Sequence, residues 1–315
     1  MDKISIITPC FNEFDSLPIF YSAIKEVTLH MKEQNFEFIF IDDGSKDNTL
    51  NIIKNFSEHD SRIKFISFSR NFGKESAMYA GLINATGDYI AFMDADMQDP
   101  PSLLPEMYRY ISSGEYDSVA TRRTTREGEP PIRSFFARMF YKIINKLSKS
   151  DIVDGARDFR LMNRKMVDAI ISIGEYNRFS KGIFGWVGFR TKWLPYVNVK
   201  RAAGETKWSF WKLFLYSLEG IVAFTTAPLA IASIIGFLLC FLSLALLCVI
   251  VVKTLLWGDP VSGWPSMTCI ILLIGGIQLF SIGILGQYLA KTYIETKKRP
   301  LFIVNEDNIN VNKEK

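Results

Sequence analysis

The sequence predicts an α/β protein: a mainly parallel sheet flanked by helices, followed by an amphipathic juxtamembrane helix and two transmembrane helices. Three observations carry this. Short β-rich runs alternate with helical segments up to Thr121, the pattern of a doubly wound sheet. Two later stretches, between Glu219 and Lys253 and between Asp259 and Lys291, contain no Asp, Glu, Lys, Arg or His. Each exceeds the roughly 20 apolar residues a helix needs to cross a hydrocarbon core of about 30 Å. Basic, aromatic-rich segments lie between these two parts. The chain of 315 residues is 48% hydrophobic and 22% charged, with mean hydropathy +0.11. Its composition excludes a purely soluble enzyme, a many-helix transporter, a disordered chain and a disulfide scaffold.

Candidate strands are 4–8, 36–41, 63–68, 89–93 and 118–121; apolar positions at helical spacing mark 17–31, 48–56, 74–85 and 103–111 between them. Sheets of this kind bind ligands at the carboxyl ends of their strands, so the polar residues just after each strand matter most. Apolar spacing predicts a basic amphipathic helix over 132–147, with Ile132, Phe135, Phe136, Met139, Phe140, Ile143, Ile144 and Leu147 on one face. Arg133, Arg138, Lys142, Lys146 and Lys149 fill the remainder. It either packs on the core with a solvated basic face or lies on an anionic membrane surface.

A second candidate for a membrane-surface helix is 208–224, rich in Trp and Phe and leading directly into the first span. The first span starts near Pro228 and ends near Val252; the second runs from Met267 to Ala290, with Gly275, Gly276, Gly283 and Gly286 allowing close helix contact. Lys200, Arg201, Lys207 and Lys212 precede the first span, and Lys291, Lys297, Lys298 and Arg299 follow the second. The positive-inside rule places both termini in the cytoplasm. Neither span carries a buried charge, so they read as an anchor. The expected organisation is 1–205 cytosolic catalytic domain, 206–227 juxtamembrane helix, 228–252 first span, 253–266 external loop, 267–290 second span and 291–315 cytosolic tail.

Net charge is +4, too small to indicate nucleic acid. Cys10, Cys240, Cys248 and Cys269 form no CxxC or Cys/His cluster, which argues against zinc and disulfides. The start, Met1-Asp2-Lys3, lacks the apolar run of a signal peptide.

Acidic residues follow three candidate strands: Glu13 after the first, Asp42, Asp43 and Asp47 after the second, and Asp94, Asp96 and Asp99 after the fourth. One such pair is commonly a cap or turn. Three on one sheet edge repel one another unless a cation or hydrogen-bond donors offset the charge. Asp94 and Asp96 straddle one residue, so in an extended segment their carboxylates share a side, and Gln98 continues the alternation. All-oxygen ligation suits Mg2+ or Mn2+, which bridges protein and diphosphate. No GxxxxGK[ST] or GxGxxG motif is present.

The motifs ITPCFNE, IDDGSKDNT, SRNFGKESA, DADMQDPP and DGARDFRLMNRK, in this order, resemble family 2 glycosyltransferases of the GT-A fold. RFSKGIFGWVGFR, RAAGETKWSFWKL and the paired apolar stretches extend the match over nearly the whole chain. The subgroup most resembled is the polyprenyl-phosphate glycosyltransferases, related to dolichyl-phosphate mannose synthase and bacterial undecaprenyl-phosphate glucosyltransferases. The resemblance implies that Pro9 and Glu13 line the nucleotide pocket and Asp43 contacts the base or ribose. It implies a metal pair at Asp94 and Asp96, with Gln98 as third ligand, and catalytic roles for Asp96 and for Asp158 near the sugar and acceptor. Lys74, Arg122, Arg201 and Lys207 are implied substrate-binding cations. Two positions depart from the family pattern, Cys10 and the Ala156-Arg157 pair before Asp158.

Plainer readings stand beside these. Asp158 pairs with Arg157 or Arg160 in a turn; Arg122 is surface decoration beside Arg123 and Arg126; Gly73 and Gly81 serve turns or close packing; Trp186 and Trp193 are packing residues. The implied reaction is inverting transfer of one hexose, best matched by glucose, from a UDP-sugar to polyprenyl phosphate at the cytoplasmic face of the inner or plasma membrane. N-acetylglucosamine, galactose and an aminopentose are alternative sugars. A separate flippase, an outward-facing glycosyltransferase, contact with membrane lipid and homo-oligomerisation are expected, and nucleic acid is not. A processive polysaccharide synthase would carry QxxRW, which none of Gln34, Gln98, Gln278 or Gln287 begins. A non-catalytic membrane sugar-nucleotide sensor would tolerate a degenerate acidic pair, and here Asp94 and Asp96 are intact.

Overall fold

The computed structural model describes residues 1–124, 153, 155–197, 227–257 and 263–309. The chain forms two units, Met1–Leu215 with Arg299–Lys315, and Tyr216–Lys298. The amphipathic segments 132–147 and 208–224, together with Arg201 and Lys207, lie outside the described residues.

The first unit is built on an eight-stranded sheet. Strands β1 (Lys3–Cys10), β2 (Asn35–Asp42), β3 (Ile63–Phe68) and β4 (Tyr89–Phe92) alternate with helices α1 (Leu17–His30), α2 (Thr49–His59) and α3 (Lys74–Asn84). Helix α4 (Leu104–Ser112) then leads to β5 (Ser118–Arg123). Five further elements had no counterpart among the expected ones: β6 (Ala156–Asn163), α5 (Arg164–Ser172), α6 (Ser180–Trp186), β7 (Thr191–Tyr196) and β8 (Val304–Asp307).

The strand order is β7-β5-β6-β4-β1-β2-β3-β8. Pairs β1–β2, β1–β4, β2–β3 and β5–β7 are parallel, whereas β4–β6, β5–β6 and β3–β8 are antiparallel. The sheet is mixed: β1, β2, β3, β4, β5 and β7 run one way, the mainly parallel part the sequence predicts, while β8 and β6 run against them. Strand β6 inserts between β4 and β5, antiparallel to both. Its amino end thus arrives at the edge where β1, β2, β4 and β5 end.

Burial follows the pleat. One face carries Ile4, Ile6, Phe36, Phe38, Phe40, Phe159 and Leu161, packed with Leu17, Phe20 and Ile24 of α1 and Leu104, Met107 and Ile111 of α4. The other face receives α3, whose Gly81 sits so close to β1 that a Cβ there would lie 2.2 Å from Ile7 Cγ2. At the far edge of the sheet Glu37 is buried among Lys3 at 2.6 Å and Lys64 at 2.9 Å. Burial alone would raise its pKa, but those ammonium groups and Thr86 hold it down at about 2.

Strand β8 comes from the tail that follows the second unit, and it covers the open edge of β3. Phe302 stacks on Phe68 with ring centroids 4.8 Å apart, and Asn308 accepts a hydrogen bond from Phe65 N at 2.7 Å. Lys54 pairs with Glu306 at 2.6 Å. An exposed strand edge invites intermolecular pairing, and this tail occupies it.

The second unit consists of α7 (Ala227–Trp257) and α8 (Trp264–Thr296), packed against each other. Among the described residues, one helical segment is long and apolar enough to cross a membrane, Leu273–Thr296 in α8; in α7 the comparable apolar run is shorter, Pro228–Leu239. Their apolar side chains face outward, with Phe237 63% and Leu279 72% exposed.

Gly81→Ala tests the α3–β1 contact. Helix propensity alone favours Ala by about 1 kcal/mol. Crowding against buried Ile7 should reverse this, giving a net loss of about 1–2 kcal/mol in denaturant unfolding. A stabilised variant would refute the close packing.

Candidate active site at the strand ends

The loops after β1, β2 and β4 and the amino end of β6 meet at one edge of the sheet. Pro9 is tolerated in β1 because the last β1–β4 pair is Ile7 with Phe92, leaving no ladder partner on that side for a backbone N–H. Asn12 then takes a left-handed backbone, φ 54°, a conformation Asn accepts more readily than most residues. Its N–H donates to Ser45 Oγ at 2.9 Å and its Oδ1 accepts from Lys46 N at 2.8 Å, joining the β1 and β2 loops. Glu13 N donates to Thr49 Oγ1 at 2.9 Å, and the Glu13 carboxylate accepts a short hydrogen bond from Ser16.

Asp42 and Asp43 are both buried and serve different partners. Asp42 accepts from Ser67 Oγ at 2.8 Å. Asp43 accepts from Phe72 N at 2.6 Å and Gly73 N at 2.9 Å, which pins the loop between β3 and α3. Gly44 allows this approach: its φ is +67°, and a Cβ would lie 2.5 Å from the Arg70 carbonyl carbon. Burial raises the Asp43 pKa to about 6 despite those two N–H donors, with Asp42 adding to the rise and Arg70 opposing it.

The pinned loop delivers Lys74 at the first turn of α3. Its Nζ lies 2.8 Å from both carboxylate oxygens of Asp94 and 2.6 Å from Asp158 Oδ2. Burial disfavours the ammonium, but Asp158 and Asp94 outweigh it and raise the Lys74 pKa. Burial likewise works against the Asp158 carboxylate, yet Lys74, with Lys181 and Arg157, holds it well below the usual range. Asp94 is pushed up by burial and by Asp158 and Asp99, with Lys74 opposing.

Asp158 pairs with neither Arg157 nor Arg160, the partners available in a turn. Strand alternation sends Arg157 to the opposite face, where its Nε meets buried Asp99 at 3.0 Å. Asp99 also accepts a short hydrogen bond from Tyr196. The altered Ala156-Arg157 pair thus leaves Asp158 free to face Lys74.

The segment after β4 turns instead of staying extended, which corrects the alternation expected for Asp94, Asp96 and Gln98. Met97 adopts φ 59°, and Asp96 Oδ1 accepts from Gln98 N at 3.0 Å. Gln98 Oε1 then accepts from Arg123 Nη2 at 2.9 Å and Arg157 Nη2 at 3.3 Å. Left-handed geometry at a non-glycine residue is sparsely populated and clusters at functional loops. Arg122 is exposed and is the register partner of Ala156 at the start of β6.

Gly73, with φ 96°, opens α3 and donates to Asp43. Trp186 is 65% exposed, contrary to a packing role, whereas Trp193 lies 5.8 Å from the Arg160 guanidinium. Asp99, Arg123, Arg157 and Tyr196 were not anticipated as a network. Sequence gives no signal for them beyond the acidic run after β4.

The donors expected for a divalent cation, Asp94, Asp96 and Gln98, are all oxygen, the ligand chemistry of Mg2+ or Mn2+. Lys74 holds both Asp94 oxygens, and Arg123 and Arg157 share the Gln98 oxygen. Among the described residues no three His, Cys, Asp or Glu side chains converge tightly enough to hold an ion by themselves. Such an ion would take the rest of its shell from water and diphosphate oxygens, the usual habit of Mg2+.

Residues 5–171 match the family model described as glycosyl transferase family 2. The chain belongs to glycosyltransferase family 2. It is 42% identical over 302 residues to the prophage bactoprenol glucosyl transferase homolog of Escherichia coli strain K12, covering 96% of this chain and 98% of that one. The bactoprenol glucosyl transferases of Shigella phages SfX and SfV are each 40% identical, over 302 and 305 residues; the matches cover 96% and 97% of this chain and 98% and 99% of theirs. A remote likeness among solved structures is the mannosyltransferase PcManGT of Pyrobaculum calidifontis in complex with GDP-Man and Mn2+, at 15% identity and TM-score 0.45, covering 91% of this chain and 87% of that one.

The transferase should report the burial of Asp43 through pH. A folded-state pKa of about 6 against an ordinary 3.8 means protonation favours the fold. That contribution is complete below about 3.8 and is lost as pH rises through about 6. From pH 5 to pH 7 the wild type should lose about 1 kcal/mol relative to Asp43→Asn, whose amide does not titrate. Denaturant unfolding of both proteins at the two pH values measures it, and parallel pH profiles would refute the assignment.

Proposed function

We propose that this transferase moves one glucose from UDP-glucose to a polyprenyl phosphate at the cytoplasmic face of the membrane. The observation that carries the reading is the convergence of Asp94 and Asp158 on Lys74 at the strand-end edge of a family 2 glycosyltransferase. The names of the relatives supply the acceptor class and the sugar.

In this reading Pro9, Glu13 and Asp43 line the nucleotide pocket, and Asp94 and Asp96 would hold Mg2+ or Mn2+. Gln98, the third expected ligand, sits beside them with its oxygen shared by Arg123 and Arg157. Such an ion, when bound, would offset charge on the leaving diphosphate. A phosphate monoester has its second pKa near 6, so the acceptor is already anionic at neutral pH. One of its oxygens attacks the anomeric carbon, the bond from that carbon to the diphosphate oxygen breaks, and the nucleoside diphosphate departs with the electron pair. The configuration inverts.

No strong base is required, which agrees with Asp158 being held as a carboxylate of low basicity. Its work is electrostatic: it fixes Lys74 and faces positive charge developing on the sugar. Arg122, Arg201 and Lys207 are the cations proposed to meet phosphate.

An even number of bilayer crossings is the arrangement β8 supports, because residues before α7 and residues after α8 belong to one folded sheet. Helices of 31 and 33 residues measure about 46 and 50 Å at 1.5 Å per residue, enough for two crossings. The absence of acceptor diffusion out of the bilayer explains why the catalytic unit is anchored. A flippase and an outward-facing transferase would use the product.

Membranes containing the protein, given undecaprenyl phosphate and a panel of UDP-glucose, UDP-N-acetylglucosamine, UDP-galactose and GDP-mannose, test this directly. Mass spectrometry should find one hexose on the lipid phosphate with UDP-glucose. Asp96→Ala should lower transfer by roughly 10²-fold or more with an unchanged melting profile. A ladder of products would instead indicate a processive synthase, and near wild-type activity of Asp96→Ala would remove the metal assignment.

A further inference from the structure

Beside Asp158, on the same face of the sheet, the structure contains a cavity of about 240 Å³ whose lining includes Ala156, Arg160, Lys181, Phe184, Phe189 and Trp193. Its most unusual wall is Arg160. This side chain is 3% exposed, and its Nε is buried with no hydrogen-bond partner among the described residues. The guanidinium is held between aromatic rings, 3.8 Å from the Phe184 centroid and 5.8 Å from that of Trp193. Burial lowers its pKa to about 9, with Asp158 only partly opposing. A buried guanidinium is normally paired with a carboxylate or phosphate, because its desolvation is otherwise uncompensated.

The strand register explains how the cavity forms. Ala156, Asp158 and Arg160 alternate onto one face of β6, while Phe92 and Ala120 flank Arg160 on the neighbouring strands and Trp193 flanks Ala120. Helix α6 closes this face and supplies Lys181, Phe184 and Gly185. It is held in place by Glu75 of α3, which accepts from Ser180 N at 3.0 Å. Lys181 is thus the second cation of the cavity, and it acts on Asp158 electrostatically. Two cations and an apolar aromatic wall make up one chamber, adjoining the carboxylate that faces the reacting centre.

We propose that this cavity is the subsite for a phosphate monoester, with Arg160 and Lys181 holding the dianion and Phe189 and Trp193 accepting the apolar chain attached to it. The proposal rests on the lipid-phosphate reading above and assigns residues that reading does not use. A guanidinium offers parallel N–H donors to phosphate oxygens, and Lys adds a point charge. A nucleotide diphosphate is the poorer fit, because its metal carboxylates lie after β4 and the chamber offers aromatic carbon where further charge would sit. The subsite also places the incoming oxygen on the Asp158 side, opposite cations that would relieve repulsion between acceptor and donor.

The test uses the full-length protein in detergent, with farnesyl phosphate, farnesol, inorganic phosphate and UDP as separate probes in calorimetry. Lys181→Met should weaken farnesyl phosphate binding tenfold or more and weaken inorganic phosphate in parallel, with UDP unchanged. Arg160→Lys retains charge but loses the forked donors and should also weaken farnesyl phosphate; its melting profile shows whether the fold survives. Lys181, partly exposed on α6, keeps the test valid if Arg160→Lys does not fold. In steady-state transfer assays Lys181→Met should raise the acceptor KM and leave the donor KM unchanged.

Loss of UDP affinity with farnesyl phosphate unaffected would overturn the proposal in favour of a donor subsite. Farnesol binding as tightly as farnesyl phosphate would overturn it as well. Active transferase with an unchanged acceptor KM in Lys181→Met would refute the subsite and leave the proposed function standing. Lys181-dependent farnesyl phosphate binding in a protein that transfers no sugar would do the reverse.

Discussion

The Lys74 ammonium is the interaction on which the site depends. Parallel strands that point one way carry their terminal polar residues to one edge, and here those residues are mostly carboxylates. Such a cluster is unfavourable unless positive charge enters it. Lys74 supplies that charge and reaches both Asp94 and Asp158. Its position at the first turn of α3 opposes the helix dipole, which favours anions there. The two carboxylates reverse that preference. Lys74 in turn depends on Asp43, whose hydrogen bonds to Phe72 and Gly73 fix the loop from which α3 starts.

Strand β6 provides the second constraint. Had it run parallel to β4, its amino end would lie at the opposite edge and Asp158 would be remote from Asp94. Running antiparallel, it brings Arg157 and Asp158 to the same edge and divides them between faces. Arg157 stabilises the β4 loop from one side through Asp99 and Gln98. Asp158 meets Lys74 on the other. Adjacent residues in sequence therefore serve two networks separated by the sheet, and Arg160, two residues on, opens toward the cavity beneath α6.

Much of the first half of this fold is legible because its physics is local. The run 63–68 coincides with β3 as it stands, and the alternation of apolar runs with helical spacing locates α1 to α4 within a few residues. Strand β6 escaped because ARDFRLMN carries charge at three of its first five positions. Those charges are compensated by Asp99, Lys74 and aromatic rings that come from distant parts of the chain. Strand β8, VNED, has no apolar pattern at all. Its place is set by backbone pairing to an open edge, which no side-chain periodicity records. Met97 escaped for a related reason: a left-handed residue without glycine or asparagine has no signature, so the turn that separates Asp96 from Gln98 was invisible. Lys74 had a signal, a basic residue just after a glycine at a helix start, but its partners had not yet been brought together.

The tail strand makes the site sensitive to a segment far away in sequence. Phe302, just before β8, stacks on Phe68 at the end of β3, and Phe68 meets Phe72 edge-on at 5.8 Å. Phe72 donates its backbone N–H to Asp43, and Arg70 lies over its ring at 4.0 Å. An unbroken set of contacts thus runs from the residues that follow α8, through the aromatic end of β3, to the loop that positions Lys74. Without β8, the β3 edge would be unpaired where that loop begins, and Phe68 would lose a stacking partner. Because interiors are close-packed, a loosened Phe68 passes its displacement to Phe72 and so to the Asp43 anchor. The polar tail therefore belongs to the same cooperative unit as the strand ends, although it is separated from them in sequence by both long apolar helices.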